Sequence, residues 1–314
     1  MAAEKAPCQI LRQLKTPPPG ATLRRMSRHP GTAAAPRCLP AGLLLAALLG
    51  CAAGGGVTIP DVAGDDHGPG SFRYPSHPAF PAGSFDLSRV TIRRERSDWV
   101  FEVEFASRIE TAQVFLTRDE RASLWPQTVD IYLSFAGEAG AHREALPGRK
   151  VRFAAGHEWS RSVVLSPLPR LLKETLEKTV PEAPDVFVPQ RVELSGKRLK
   201  ARVPARFLGE GEIRGLMVLV SGTRFFRSFE ALDRLRHRFA PDGLCMPVEA
   251  APGECRLDDP QGQGCHFSGC SPCGGHPQVI DLLAGPGFQE RWLRRYDPET
   301  NQTAEIELLL LDAR

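Results

Sequence analysis

Along DWVFEVEFA, residues 98–106, apolar and charged positions alternate: Trp99, Phe101, Val103 and Phe105 share one parity, and Glu102 and Glu104 the other. A period of two puts successive side chains on opposite faces of a strand. The segment therefore predicts a half-buried antiparallel strand with Trp99 on its core side. TVDIYLSF, residues 128–135, repeats the pattern with Val129, Ile131, Leu133 and Phe135 on one face and Asp130 and Tyr132 on the other. Further strands are expected in RKVRF, SRSVVL, QRVEL, RLKARV, GLMVLVS and the terminal AEIELLLL. Two stretches carry helical spacing instead: residues 168–178, through Leu171, Leu172 and Leu176, and residues 229–239, through Leu232, Leu235 and Phe239. Neither opens a βαβ alternation, which argues against a parallel sheet. The expected fold is all-β, an antiparallel β-sandwich with one or two short helices.

The amino-terminal fifty residues do not belong to that pattern. MSRHPGTAAAPRCLPAGLLLAALLGC places Arg28 and Arg37 before an apolar run from Ala41 to Leu49, the order of charge and apolarity found in a secretion signal. The run is shorter than the roughly 20 residues a membrane-spanning helix needs. Leu48, Leu49 and Gly50 before Cys51 resemble the lipobox of bacterial lipoproteins, which makes Cys51 the expected site of acylation and the first mature residue. A start at Met26 would give this leader an ordinary length. AAGGGVTIP, residues 52–60, then reads as a flexible tether, and residues 61–314 as the folded module. No aspartate follows Cys51, which by resemblance to known lipoproteins favours the outer membrane.

Setting the leader apart changes the charge picture. It holds seven of the 40 basic and one of the 37 acidic residues, so the remainder carries 33 against 36. The basic balance of the whole chain thus resides in the leader, and nucleic acid is not an expected partner.

The module opens on DVAGDDHGPGSFRYPSHPAFPAGSFDL, residues 61–87, too rich in Gly and Pro for a helix or a central strand. Calcium takes six to eight oxygen ligands from carboxylates, carbonyls and water. Asp61, Asp65, Asp66 and Asp86 could supply the charge for a structural calcium ion, although their spacing is not that of an EF-hand. The competing reading is turn chemistry, with Asp65 and Asp66 accepting from backbone donors of the GPG turn.

Five cysteines, Cys245, Cys255, Cys265, Cys270 and Cys273, fall within 29 residues, inside a Cys-rich insertion spanning 245–276. In an exported protein they read as disulfides with one thiol left over. Cys265, Cys270, Cys273 and His276 also have zinc-compatible spacing, and an electron-transfer or metal-sensing lipoprotein holding a metal or haem is the rival reading. The window is not the CxxCH of covalent haem attachment, since Gly274 follows Cys273. No GxSxG elbow is present, and His157-Glu158 lacks the second histidine of HExxH, so no enzyme is expected. A purely structural envelope protein is a third reading.

The opening block, GDDHGPGSFRYP continuing to FPAGSFDL, followed by TVDIYLSF, resembles the C-terminal binding-module domain of glucodextranases and related amylopullulanases, which opens on GDD-GPG-Y-YP and continues through F-PG-FDL. GHEWSRSVVL, KARVPARFLG and PQVIDLLAGPG extend the resemblance over most of residues 61–314. It implies a single β-sandwich of the carbohydrate-binding and DOMON type with no catalytic machinery of its own. Behind a lipid anchor, such a module would bind a glycan or envelope polysaccharide rather than target a linked hydrolase. Sugar rings stack on exposed aromatics, and Tyr74, Trp125 and Trp159 are the expected platforms, with Tyr132 and Trp292 also available.

Overall fold

A computed structural model describes residues 56–311, apart from 71, 73, 75–79, 116–120, 210, 224–276, 298–299 and 301. The expected helix at 229–239, the cysteine window and Cys51 lie outside the described residues.

Among these residues fifteen strands follow in chain order. β1 to β5 are Val57–Pro60, Leu87–Glu95, Asp98–Phe105, Ala112–Phe115 and Arg121–Leu124. β6 to β10 are Gln127–Phe135, Val151–Phe153, Arg161–Leu165, Val186–Phe187 and Val192–Ser195. β11 to β15 are Arg198–Pro204, Ile213–Gly222, Asp281–Leu282, Ala304–Ile306 and Leu309–Leu310. Among the described residues three α-helices are short: α1 (Pro169–Thr179), α2 (Ala205–Leu208) and α3 (Phe288–Leu293).

One sheet runs β1-β2-β3-β11-β10, and the other β13-β12-β6-β8-β9 with β15 also on β12. Pairing is antiparallel apart from the short β8–β9 and β7–β14 contacts, which are parallel. The all-β sandwich expected from the alternation is the observed fold.

The two sheets close on an apolar layer. Val90 and Ile92 from β2, Phe101, Val103 and Phe105 from β3, and Leu199 and Val203 from β11 meet Val129, Ile131 and Leu133 from β6 and Leu216, Val218 and Val220 from β12. Trp99 packs against this core while remaining half-buried. The outer face of the five-stranded sheet keeps its charges in water as a ladder. Glu104 sits between Arg89 and Lys197, and Glu102 between Arg93 and Lys200.

The six-stranded sheet departs from the expected half-buried pattern. Every residue of β6 is buried, because a second apolar layer covers its outer face. Tyr132, Val164, Met217 and Leu219 there pack under Leu172 and Leu176 of α1, Trp292 and Leu293 of α3, and Phe153 and Trp159. Asp130, on the polar parity of β6, is consequently buried, and Arg149 pairs with it through Nε–Oδ2 at 2.6 Å and Nη2–Oδ1 at 2.8 Å. This bidentate arrangement supplies the geometry a buried ion pair needs to offset desolvation. α1 suits its place: Pro169 starts it, its apolar side faces the sheet, and Arg170–Glu174 and Lys173–Glu177 pair at i,i+4.

Candidate functional site

The register of β1 against β2 delivers the opening loop to one end of the sandwich. Pro60 lies opposite Arg89, and the Asp61 N–H donates to the Ser88 carbonyl at 3.0 Å. Beyond Asp61 the chain turns through Gly64, Gly68 and Gly70, all at positive φ, which glycine adopts without steric cost. At Gly70 a Cβ would meet the flexible ends of Glu290 and Arg294, whereas at Gly68 it would meet a buried ring and the backbone. A Cβ there would stand 2.5 Å from the Phe72 ring and 2.9 Å from the Val279 carbonyl oxygen.

The carboxy-terminal part of the module clasps this loop. The Gly68 N–H donates to Ile280 O at 2.8 Å, and the Arg294 guanidinium Nε to Pro69 O at 2.8 Å. Gln289 of α3 accepts from the Leu282 N–H at 2.8 Å and donates to Asp65 O. The backbone N–H of Ala284 donates to Asp61 Oδ1 at 3.0 Å.

Four aspartates from three segments converge here. Asp61 and Asp65 come from the loop, Asp86 from the approach to β2, and Asp281 from β13. One oxygen each of Asp61, Asp65 and Asp281 lies within 4.8 Å of the others. Asp281 is fully buried and receives the Leu87 N–H at 2.5 Å and the Leu282 N–H at 2.8 Å. Asp86 is 4% exposed, and its Oδ2 receives the Gly64 N–H at 2.8 Å. Asp61 Oδ2, Asp65 Oδ1 and Asp86 Oδ1 are buried with no hydrogen-bond partner.

Electrostatics follow from that crowding. Burial raises the Asp61 carboxyl to about 8, with Asp65 and Asp86 adding to it and the Ala284 N–H opposing it. Burial, then the field of Asp86, raises Asp65 to about 6. Asp86 is raised, and Asp281 is held well above the carboxylate range, in both cases by burial first and neighbouring carboxylates after. His67 opposes the rise at Asp65 and Asp86, and the ligand atoms that come together at the corner are all carboxylate oxygens.

Of the four aspartates singled out in the sequence, Asp66 is turned elsewhere. It accepts from the Tyr74 hydroxyl, which in turn accepts from the Phe85 N–H at 2.9 Å. Asp281 was missed, although a lone carboxylate inside the apolar run QVIDLLA was a usable signal. The rings of the opening segment serve packing: Phe72, Phe80 and Phe85 lie in the inter-sheet core.

The expected stacking platforms fare unevenly. Trp159 is fully buried, its indole N–H donating to Glu144 O at 3.0 Å and its ring against Tyr132 and His142; it presents no face to a ligand. Tyr132 and Trp292 are buried in the same outer core. The reason is the layer over β6, which alternation could not reveal. Tyr74 is half-buried with its ring edge on Phe85 at 6.0 Å and its hydroxyl committed to Asp66. Trp125, between β5 and β6, is half-buried against the core, with its indole nitrogen buried and without a hydrogen-bond partner. Cys245, Cys255, Cys265, Cys270 and Cys273 are outside the described residues, so neither reading of them enters the site.

The described residues form a two-sheet, largely antiparallel β-sandwich with a loop-built corner, and none of their helices is long and apolar enough to cross a membrane. Residues 57–308 match the family model of the C-terminal, SLH-like binding-module of glucodextranase. The match covers most of the chain, which therefore belongs to that family. No curated protein matches it.

Proposed function

We propose that this protein is a non-catalytic binding module that holds a glycan or envelope polysaccharide at the cell surface, tethered through a lipid on Cys51. The observation that carries the glycan reading is the family match over residues 57–308, a binding module by description. The tether rests on the leader, where a short apolar run ends at Leu-Leu-Gly-Cys ahead of a Gly-rich spacer. Acylation there would hold the module at a membrane surface and raise its local concentration near envelope polymers. Trp125 is the aromatic best placed to stack on a sugar ring, since its neighbours in the candidate set are buried or hydrogen-bonded within the fold.

Native gels cast with and without soluble polysaccharides test the binding. Retardation by at least one polysaccharide, reduced in Trp125→Ala under conditions where the melting temperature shows the domain folded, supports the reading. Unchanged mobility across a broad glycan panel overturns it. Intact-mass measurement of membrane-extracted protein tests the tether: a diacylated or triacylated amino-terminal Cys51 supports it, and an unmodified residue contradicts it.

A further inference from the structure

We propose that Asp61, Asp65 and Asp281 bind one calcium ion, with the buried carboxylate of Asp86 beside them, and that the ion fastens the amino-terminal loop of the module to β13 near its carboxy-terminal end. Three observations converge on it. The first is distance. Calcium–oxygen bonds of about 2.3–2.6 Å place ligands on opposite sides of the ion about 4.6–5.2 Å apart, and oxygens of Asp61, Asp65 and Asp281 all lie within 4.8 Å of one another. A single ion can touch all three.

The second is the state of the individual oxygens. Asp86 is nine-tenths buried and more, with one oxygen fixed by the Gly64 N–H and the other without a partner. Asp61 has the same division, Oδ1 on the Ala284 N–H and Oδ2 buried and unpartnered. Asp65 adds a third unpartnered oxygen, Oδ1. Backbone donors thus hold the carboxylates in place while leaving oxygens free. Buried acceptors without partners carry a desolvation cost of roughly 1–3 kcal/mol each, more when charged, and a native structure explains them by a ligand, an ion or water.

The third is donor chemistry. Hard divalent cations take carboxylate and carbonyl oxygens, whereas zinc and copper favour imidazole and thiolate. The corner offers carboxylates from three chain segments in an irregular, loop-built arrangement, which suits the flexible coordination of calcium better than the strict octahedron of magnesium. Asp66 takes no part, because Tyr74 holds it away.

The consequence is a staple between residues more than two hundred positions apart in sequence, Asp61 and Asp281, closing the corner where the Gly64–Gly70 loop meets β13. The site stands independently of any glycan the module binds.

The test uses the purified full-length chain, stripped with chelator and then melted in chelator, in millimolar calcium and in millimolar magnesium. A ligand that binds the folded state alone raises the melting temperature, and a rise of about 4 °C or more in calcium, with a smaller one in magnesium, is expected. Equilibrium dialysis with radioactive calcium should find an ion that is lost in Asp281→Asn and weakened at least about tenfold in Asp65→Asn. Asp281→Asn removes a ligand oxygen and replaces one of the two acceptors of the Leu87 and Leu282 N–H groups with a donor, so its own melting temperature in chelator is the reference for that variant, and calcium should not raise it. Should Asp281→Asn fail to fold, the half-buried Asp65→Asn decides the matter by the same comparison. Equal melting of the parent in chelator and calcium, an equal response to magnesium, or an undiminished calcium response in a folded variant overturns the proposal.

Discussion

The sandwich buries carboxylates in two places and treats them in opposite ways. Asp130, in the middle of β6, is fully buried, and so is Arg149, which meets it with two parallel hydrogen bonds. The corner of Asp61, Asp65, Asp86 and Asp281 gathers four carboxyl groups without an arginine or lysine among them, and leaves three oxygens unpartnered. The first carboxylate is neutralised from within, by a residue nineteen positions away. The second group is arranged as if its countercharge comes from outside. Burial alone does not distinguish a structural carboxylate from a ligand; the distinguishing feature is whether the chain brings its own cation.

That contrast can be broken from either side. The largest effect should come from Arg149→Met, which strands the Asp130 charge in an apolar layer and should cost about 3–5 kcal/mol in chemical denaturation. The double change Asp130→Asn with Arg149→Met should cost less than that single change, since the unpaired charge is gone. A double variant no more stable than Arg149→Met would show that the pair is not what neutralises Asp130.

Next comes pH, in chelator. Asp61 and Asp65 keep their protons in the folded protein up to about 8 and about 6, whereas in the unfolded chain they lose them near the ordinary aspartate value of about 4. Between roughly pH 4 and pH 8 the folded state therefore binds more protons, and stability contributed by these groups falls as pH rises. The slope should flatten in calcium, because the ion holds the carboxylates ionised. Melting temperatures that are flat across this window in chelator would contradict the uncompensated corner.

Gly68→Ala should cost about 1–3 kcal/mol, since alanine would sit at φ +55° with its Cβ against Phe72 and the Val279 carbonyl. The smallest effect belongs to the partly exposed ladder. Glu102→Gln, which loses Arg93 and Lys200 at the surface of the five-stranded sheet, should change stability by less than about 1 kcal/mol. A larger loss would mean that surface charges, and not the buried groups, dominate the electrostatics of this module.

The sequence disclosed the first sheet better than the second. β3 alternates between an apolar parity and glutamates because one of its faces is in water, so its pattern names its environment. β6 alternates just as clearly, but Asp130 and Tyr132 point into a second apolar layer made by α1, α3 and β7, and no local pattern announces that cover. The same layer buries Trp159, Tyr132 and Trp292, which ring chemistry alone presented as platforms. The acidic loop was visible as a cluster because three of its aspartates lie within six residues. Asp281 was not, because β12–β13 pairing brings it there from the far end of the chain; Asp66 looked equivalent to Asp65, and only the position of Tyr74 separates them.

The central claim is that the aspartate corner is completed by an ion, and crystals grown in calcium and measured at a wavelength where calcium scatters anomalously test it most directly. The account predicts one anomalous peak about 2.3–2.6 Å from oxygens of Asp61, Asp65 and Asp281. A fully occupied lattice with no peak at that corner, and with those carboxylates hydrogen-bonded to water or to each other, would contradict it.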